Sequence, residues 1–147
     1  MIFTIRTKVP TLNEYIKAER ANRYIAAKLK ADTQEEIGWE ILAAAPRCFS
    51  PKPIDAVSDM TVVFILADKR KDYDNVMFGL KFIQDALVAR GILHDDSPKW
   101  LNPPRVFFAY DAADPRIIVE IAPSETYTPP KEVDDIIIKA AMKEVGA

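Results

Sequence analysis

Asp72 and Asp74 lie directly after the basic run Lys69-Arg70-Lys71, where an apolar stretch gives way to a helical pattern. In extended backbone, side chains at i and i+2 point the same way, so both carboxylates can face one cavity. Two like charges held that close repel, and a cation between them relieves the repulsion. A shell of oxygens alone favours Mg²⁺, with Mn²⁺ able to substitute, over zinc. The chain's one His and one Cys cannot build zinc's usual nitrogen and sulfur shell. A second acidic pair, Asp95-Asp96, follows the intervening helical stretch. Each motif also has a purely structural reading. Asp is a preferred N-cap, so Asp74 can cap the helix that follows it, and Asp95-Asp96 can be a polar turn. The helix between them would carry the chain ~22 Å from its start. A shared cation therefore needs a return path that the pattern does not show.

The elements that must position these groups are legible from periodicity. Residues 2–7 alternate apolar and polar side chains as a half-buried strand does, and Pro10 ends them. From Asn13 to about Ala45 the pattern is helical, with Ile25, Leu29, Ile37 and Ile41 on one stripe. Thr33-Gln34-Glu35-Glu36 matches a capping box, which predicts a break and restart there. Pro46 and the Ser50–Pro53 cluster predict a loop. Residues 60–67 are apolar at nearly every position, which suits a strand buried on both faces. A second helix runs to about Arg90 on the stripe Val76, Leu80, Ile83 and Leu87, and Gly91 stands where a C-terminal cap glycine belongs. Residues 105–110 and 116–121 read as strands joined by the Asp111–Pro115 turn into a hairpin. After Thr128-Pro129-Pro130, residues 131–144 form a last amphipathic helix in a C-terminal extension, 128–147. The order β, α, β, α, β, β, α predicts one small α/β or α+β domain over 1–147, with about four strands in a mixed sheet flanked by helices.

Composition limits the function classes. The 147 residues suit a single domain, and 49% hydrophobic with 29% charged residues is a globular balance. No run reaches the ~18 apolar residues of a membrane span, and no signal peptide opens the chain, so no membrane partner is expected. The lone Cys48 allows no internal disulfide, and the plain expectation is a cytoplasmic protein. Net charge is −2, which argues against a generic nucleic-acid binder, but its distribution is uneven. Arg6, Lys8, Lys17, Arg20, Arg23, Lys28 and Lys30 face only Glu14 and Glu19 in residues 1–30, seven against two for a balance of +5. Such runs are either solvated faces or phosphate-binding tracks.

Taken together, Lys69-Arg70-Lys71-Asp72-Tyr73-Asp74-Asn75, then Lys81–Leu87 (KFIQDAL), then Gly91–Asp96 (GILHDD), resemble the RusA family of Holliday junction resolvases. Val9-Pro10-Thr11-Leu12-Asn13 is similar to that family's proline-then-asparagine opening. The good match covers residues 69–96, and a looser one runs from 1 to about 122. The resemblance implies that Asp72, Asp74 and Asp96 bind catalytic Mg²⁺, with Asp95 beside them, and that the double aspartate returns to the first pair. It implies a homodimer that resolves four-way DNA junctions by paired symmetric nicks, of bacterial, phage or prophage origin. It also implies a lysine on the following helix. Placing it at Lys81 requires an insertion of about three residues, Val76 to Phe78, close to one turn and ~4.5 Å further along. The other reading of Lys81 is a surface lysine paired with Asp85 at i+4. The tail beyond Pro129 departs from the family core, and its Val133, Ile136, Ile137 and Ala140 stripe would pack on the domain or across a dimer.

The chemistry expected is metal-assisted phosphodiester cleavage, with Lys81 stabilising charge if it reaches the site. Lys69, Arg70, Lys71, Asn13, Lys17, Arg20 and Arg23 would contact nucleic acid without reading sequence. Two alternatives stand beside it. One is a non-catalytic DNA-structure-binding protein whose aspartates are caps and turns. The other is a metal nuclease acting on other branched or single-stranded DNA. Nothing in the pattern gives His94 a role beyond tuning the acidic pair, and Trp39 and Trp100 read as packing or interface residues rather than base-stacking platforms.

Overall fold

The computed structural model describes residues 1–44 and 52–125. Its elements are β1 (Ile2–Ile5), α1 (Leu12–Ala21), α2 (Arg23–Ala44), β2 (Ser58–Leu66), α3 (Tyr73–Met77), α4 (Gly79–Ala89), β3 (Arg105–Tyr110) and β4 (Arg116–Pro123). The strands form one mixed sheet in the order β1-β4-β2-β3, an α+β fold with helices flanking four strands. The predicted loop at residues 46–53 falls mostly, and the C-terminal helix wholly, outside the described residues. None of the described helices is long and apolar enough to cross a membrane.

The expected hairpin between the last two strands does not form. β2 lies between them, pairing parallel with β3 (Val62 opposite Val106) and antiparallel with β4 (Val62 opposite Val119). The physical reason is that β2 is the longest and most buried strand, and flanking it on both edges satisfies its whole backbone ladder. The Asp111–Pro115 segment crosses the end of β2 instead of turning tightly. There the Asp111 N–H donates to the Leu66 carbonyl at 2.8 Å, and Arg116 clamps the Asp111 carboxylate at 3.2 Å. Parallel pairing of β2 with β3 requires a crossover connection, which α3 and α4 supply.

Burial alternates along β2 from Ser58 to Phe64, and Ile65 is buried as well. Met60, Val62 and Phe64 are buried against the helices, whereas Thr61 and Val63 stay half-buried on the other face. The expectation of a strand buried on both faces is therefore corrected: the described helices cover one face only. The core joins Phe3 and Ile5 of β1 and Val119 and Ile121 of β4 to Ile37, Ile41, Phe82, Ile83 and Leu87. Each such side chain contributes roughly 1.5–3 kcal/mol by leaving water.

The helical region also breaks elsewhere than predicted. Its capping box is Thr11 with Glu14, and the interruption is at Asn22, whose side chain accepts the Tyr24 N–H at 2.8 Å. Thr33 caps nothing: it is buried within α2, on a stripe with Ala26, Ile37 and Ile41. Ile25 is left 55% exposed because the small Ala26 takes the inward position. The second helix is split at Phe78 into α3 and α4, with Val76, Ile83 and Leu87 buried and Leu80 partly so. Gly91 has φ +71, as expected of its place after α4. Ile92 N–H reaches the Leu87 carbonyl and Gly91 N–H the Val88 carbonyl, a Schellman closure that turns the chain sharply off the helix.

Candidate active site

Asp72 occupies the N-cap position of α3, with φ −70 and ψ 147, yet its side chain makes no capping hydrogen bond. Asp74 sits in the first helical turn. The two carboxylates share a cleft, but not because both lie in extended backbone as the spacing suggested: the helix begins between them. Neither carboxylate has a hydrogen-bond or ion-pair partner among the described residues. The purely structural reading of Asp74 as the cap is corrected, since Asp72 holds that position and leaves its oxygens free.

The cleft is open, about 540 Å³, and lined by Lys69, Lys71, Asp72, Tyr73, Asp74 and Tyr110. Its wall is tied to the core: the Tyr73 ring lies 4.6 Å from Phe108, which stacks on Phe64 at 5.5 Å. Lys69 Nζ stands 5.1 Å over the Tyr110 ring. The adjacent Tyr73 phenol and partial desolvation hold the Tyr110 hydroxyl above its ordinary value. Sequence reasoning missed both tyrosines as site residues. Tyr73 was visible within the motif, but nothing in the pattern places the end of β3 beside it. Arg70 turns away from the cleft and pairs with Asp68 at 3.6 Å.

A basic track leads away from the cleft. The Asn75 side-chain carbonyl accepts the Asn13 N–H at 2.9 Å, which docks the start of α1 on the start of α3. Asn13, Lys17 and Arg20 follow at i, i+4 and i+7 on an exposed face of α1. At ~1.5 Å per residue they span about 10 Å. Lys17 and Arg20 have no ion-pair partner among the described residues. The Arg23 guanidinium carbon stands 5.1 Å from the Tyr24 ring centre, and Arg23 donates to the Tyr24 hydroxyl.

Asp95 and Asp96 are elsewhere. They border a separate cleft with Lys30, Gln34, Asp85, Val88 and Ala89, at the end of α4 remote from α3. Their segment is hydrogen-bonded to the beginning of β2: Ile54 N–H to the Ile92 carbonyl, and Ser58 N–H to the Trp100 carbonyl. Asp72 and Asp74 lie beyond the other end of β2, near Tyr110. The strand between, Ser58–Leu66, spans about 26 Å at ~3.3 Å per residue. No group of three His, Cys, Asp or Glu among the described residues could hold one metal ion. The expected return of Asp96 to Asp72 and Asp74 within one chain is therefore corrected. A crossover between parallel strands must put its two ends at opposite ends of the sheet.

Asp95 is in part a turn residue, as its structural reading held. The Ser97 hydroxyl, then the Asp96 N–H, hold its carboxyl below the ordinary carboxylate value. The His94 ring packs at a tilt, 4.2 Å from the Trp100 ring, and lies 3.5 Å from Asp55. Lys81 also fails to reach the Asp72–Asp74 cleft. It pairs with Asp85 at 3.4 Å, as does Lys30 at the same distance, and faces a niche with Tyr15, Phe78 and Phe82. Its position on α4 turns it toward α2, and the surface-lysine reading describes it.

The residues fit a hard divalent cation in part. Mg²⁺ is commonly held by one or two carboxylates, with waters and substrate phosphates completing its shell. Asp72 and Asp74 supply two unpartnered carboxylates beside two lysines suited to phosphate. The chain matches no protein-family model and no curated protein sequence.

Proposed function

We propose that this protein is a Mg²⁺-dependent endonuclease acting on branched DNA, four-way junctions above all. The observation that carries the reading is the cleft that Asp72 and Asp74, both unpartnered, share with Lys69 and Lys71. Two exposed, unpartnered carboxylates at a helix start, beside two lysines, leave charges of both signs open to a ligand. A metal-bound phosphodiester is such a ligand. Asp72 and Asp74 would hold the cation, and Lys69 and Lys71 would hold phosphate oxygens beside it. When bound, Mg²⁺ supplies charge neutralisation at the phosphate and a lowered pKa for an attacking water. Tyr73 and Tyr110 close one wall and limit solvent on that side. Asn13, Lys17 and Arg20 extend the backbone contact along α1.

Because Asp96 cannot reach its own chain's cleft, its role belongs to a homodimer in which Asp96 of a second copy supplies the third carboxylate. Two such sites related by a two-fold axis would nick opposing strands symmetrically. The test is cleavage of a panel of synthetic DNA structures with Mg²⁺ or with EDTA, using the natural chain and Asp74→Asn. Junction nicking that needs the metal, and that Asp74→Asn lowers at least ~100-fold while binding persists, is expected. Unimpaired cutting by Asp74→Asn would remove the proposal.

A second reading is favoured by one observation: no described set of three acidic residues converges in a single chain. It is a DNA-structure-binding protein without catalysis. Tight junction binding that neither needs nor responds to Mg²⁺ or Mn²⁺, without cutting of any DNA, would select it.

A further inference from the structure

Next to the aspartate cleft, and sharing Lys71 with it as a common wall, a second cavity of about 230 Å³ opens into the hydrophobic core. Its floor and sides are apolar: Ile5, Val9, Phe64, Leu66, Val76 and Ile117. Ile5, Phe64, Val76 and Ile117 belong to the buried core, so the cavity is floored by core side chains that expose little surface themselves.

The charged rim narrows what the cavity can take. Arg6 pairs with Asp114, and Arg116 pairs with Asp111 and Asp114, so these side chains seal the outer wall as a neutral network. Lys8 lies 3.7 Å from Glu14. Lys71 alone on this rim has no ion-pair partner among the described residues. An inorganic anion would use Lys71 and waste the apolar floor, whereas a purely apolar ligand would leave the lysine idle. A flat heterocycle carrying one phosphate uses both. The volume equals roughly eight waters at ~30 Å³ each, room enough for a base.

We propose that this cavity is a subsite for one unpaired nucleobase of the bound strand, with its phosphate on Lys71 at the edge of the Asp72–Asp74 cleft. The proposal deepens the nuclease reading and rests on it: the cavity selects strands able to release a base from the stack next to the cut. Junctions and other branch points release bases most cheaply, since unpaired or distorted positions have already lost part of their stacking. Base–apolar contact tolerates any sequence, so the cavity would select structure before sequence.

The experiment is a titration of the metal-free protein with deoxynucleoside monophosphates, read by NMR on the Val9, Ile5 and Ile117 methyl groups. Saturable methyl shifts are expected with the nucleotides, and none with inorganic phosphate alone. Lys71→Ala should weaken the nucleotide about tenfold, the loss of one charge-assisted contact. Val9→Phe, which fills the cavity, should abolish the methyl shifts, its fold being checked by unchanged amide dispersion. Methyl groups that do not respond in a protein that cuts junctions would overturn the subsite and leave the nuclease reading intact. Saturable shifts in a protein that cuts no DNA would support the subsite while removing the nuclease reading.

Discussion

Mixing two inactive variants should restore part of the activity, because the aspartates proposed for one metal lie at opposite ends of a single chain. Take Asp74→Asn and Asp96→Asn, co-expressed with different tags in equal amounts. In a dimer containing one of each, one composite site carries both substitutions and the other carries neither. Random pairing makes roughly half of the dimers mixed, each with one intact site, so about one quarter of the natural site number returns. A lone intact site nicks but cannot make paired cuts. On a plasmid with an extruded cruciform, the mixture should therefore give nicked circles, where the natural protein gives linear DNA. Mixing Asp72→Asn with Asp74→Asn is the control: both changes fall on the same side of the site, so every dimer stays dead. The roughly 26 Å length of β2 between the two acidic pairs decides these expectations. Should the first mixture stay as inactive as the control while its dimers still bind junctions, Asp96 of a second copy is not a ligand.

Several further outcomes follow from particular contacts. Lys69, Lys71, Lys17 and Arg20, if all four meet phosphates, give a slope of log K against log salt near −3.6 on duplex arms. Lys71→Ala should reduce it by about one, and a slope near zero would exclude the track. Lys81→Ala should change cleavage less than about threefold, since Lys81 is paired to Asp85 at 3.4 Å rather than aimed at the cleft. Its exposed pair is worth only ~0.3–0.5 kcal/mol of stability, and a loss of cleavage beyond a hundredfold would return it to the catalytic set. Gly91→Ala should cost about 1 kcal/mol in urea unfolding, because φ +71 closes α4. The Asp111 carboxyl is held low by Arg116. The folded value lies below the unfolded one, so its stabilisation is present above the ordinary value of 3.8 and is lost as pH falls through the lower folded value. Asp111→Asn should therefore flatten the acid limb of an unfolding curve, and an unchanged limb would show that the clamp contributes nothing.

Much of the fold was legible in local pattern, and the failures share one cause. The four strands, the Gly91 cap and most of the α4 stripe follow from periodicity and backbone chemistry within a few residues. The hairpin failed because pairing is decided by β2, distant in sequence from the strands it separates. The capping box at Thr33 failed because a buried position at helical spacing overrode a local motif. At the site, Asp72, Asp74, Lys69 and Lys71 were readable because neighbours in sequence are neighbours in the cleft. Tyr110, the cavity behind Lys71 and the remoteness of Asp96 depend on how β2, α4 and β3 are laid side by side, which no local spacing encodes. The basic run was only partly readable: Arg70 and Arg23 are basic in sequence but held by Asp68 and Tyr24 in space.

The most direct test is calorimetric titration of Mn²⁺ into the natural chain, Asp72→Asn and Asp74→Asn without DNA. A saturable site in the natural chain that either substitution weakens at least tenfold is the predicted result. No binding heat from the natural chain, or identical isotherms for all three proteins, would contradict a cation held between these two aspartates.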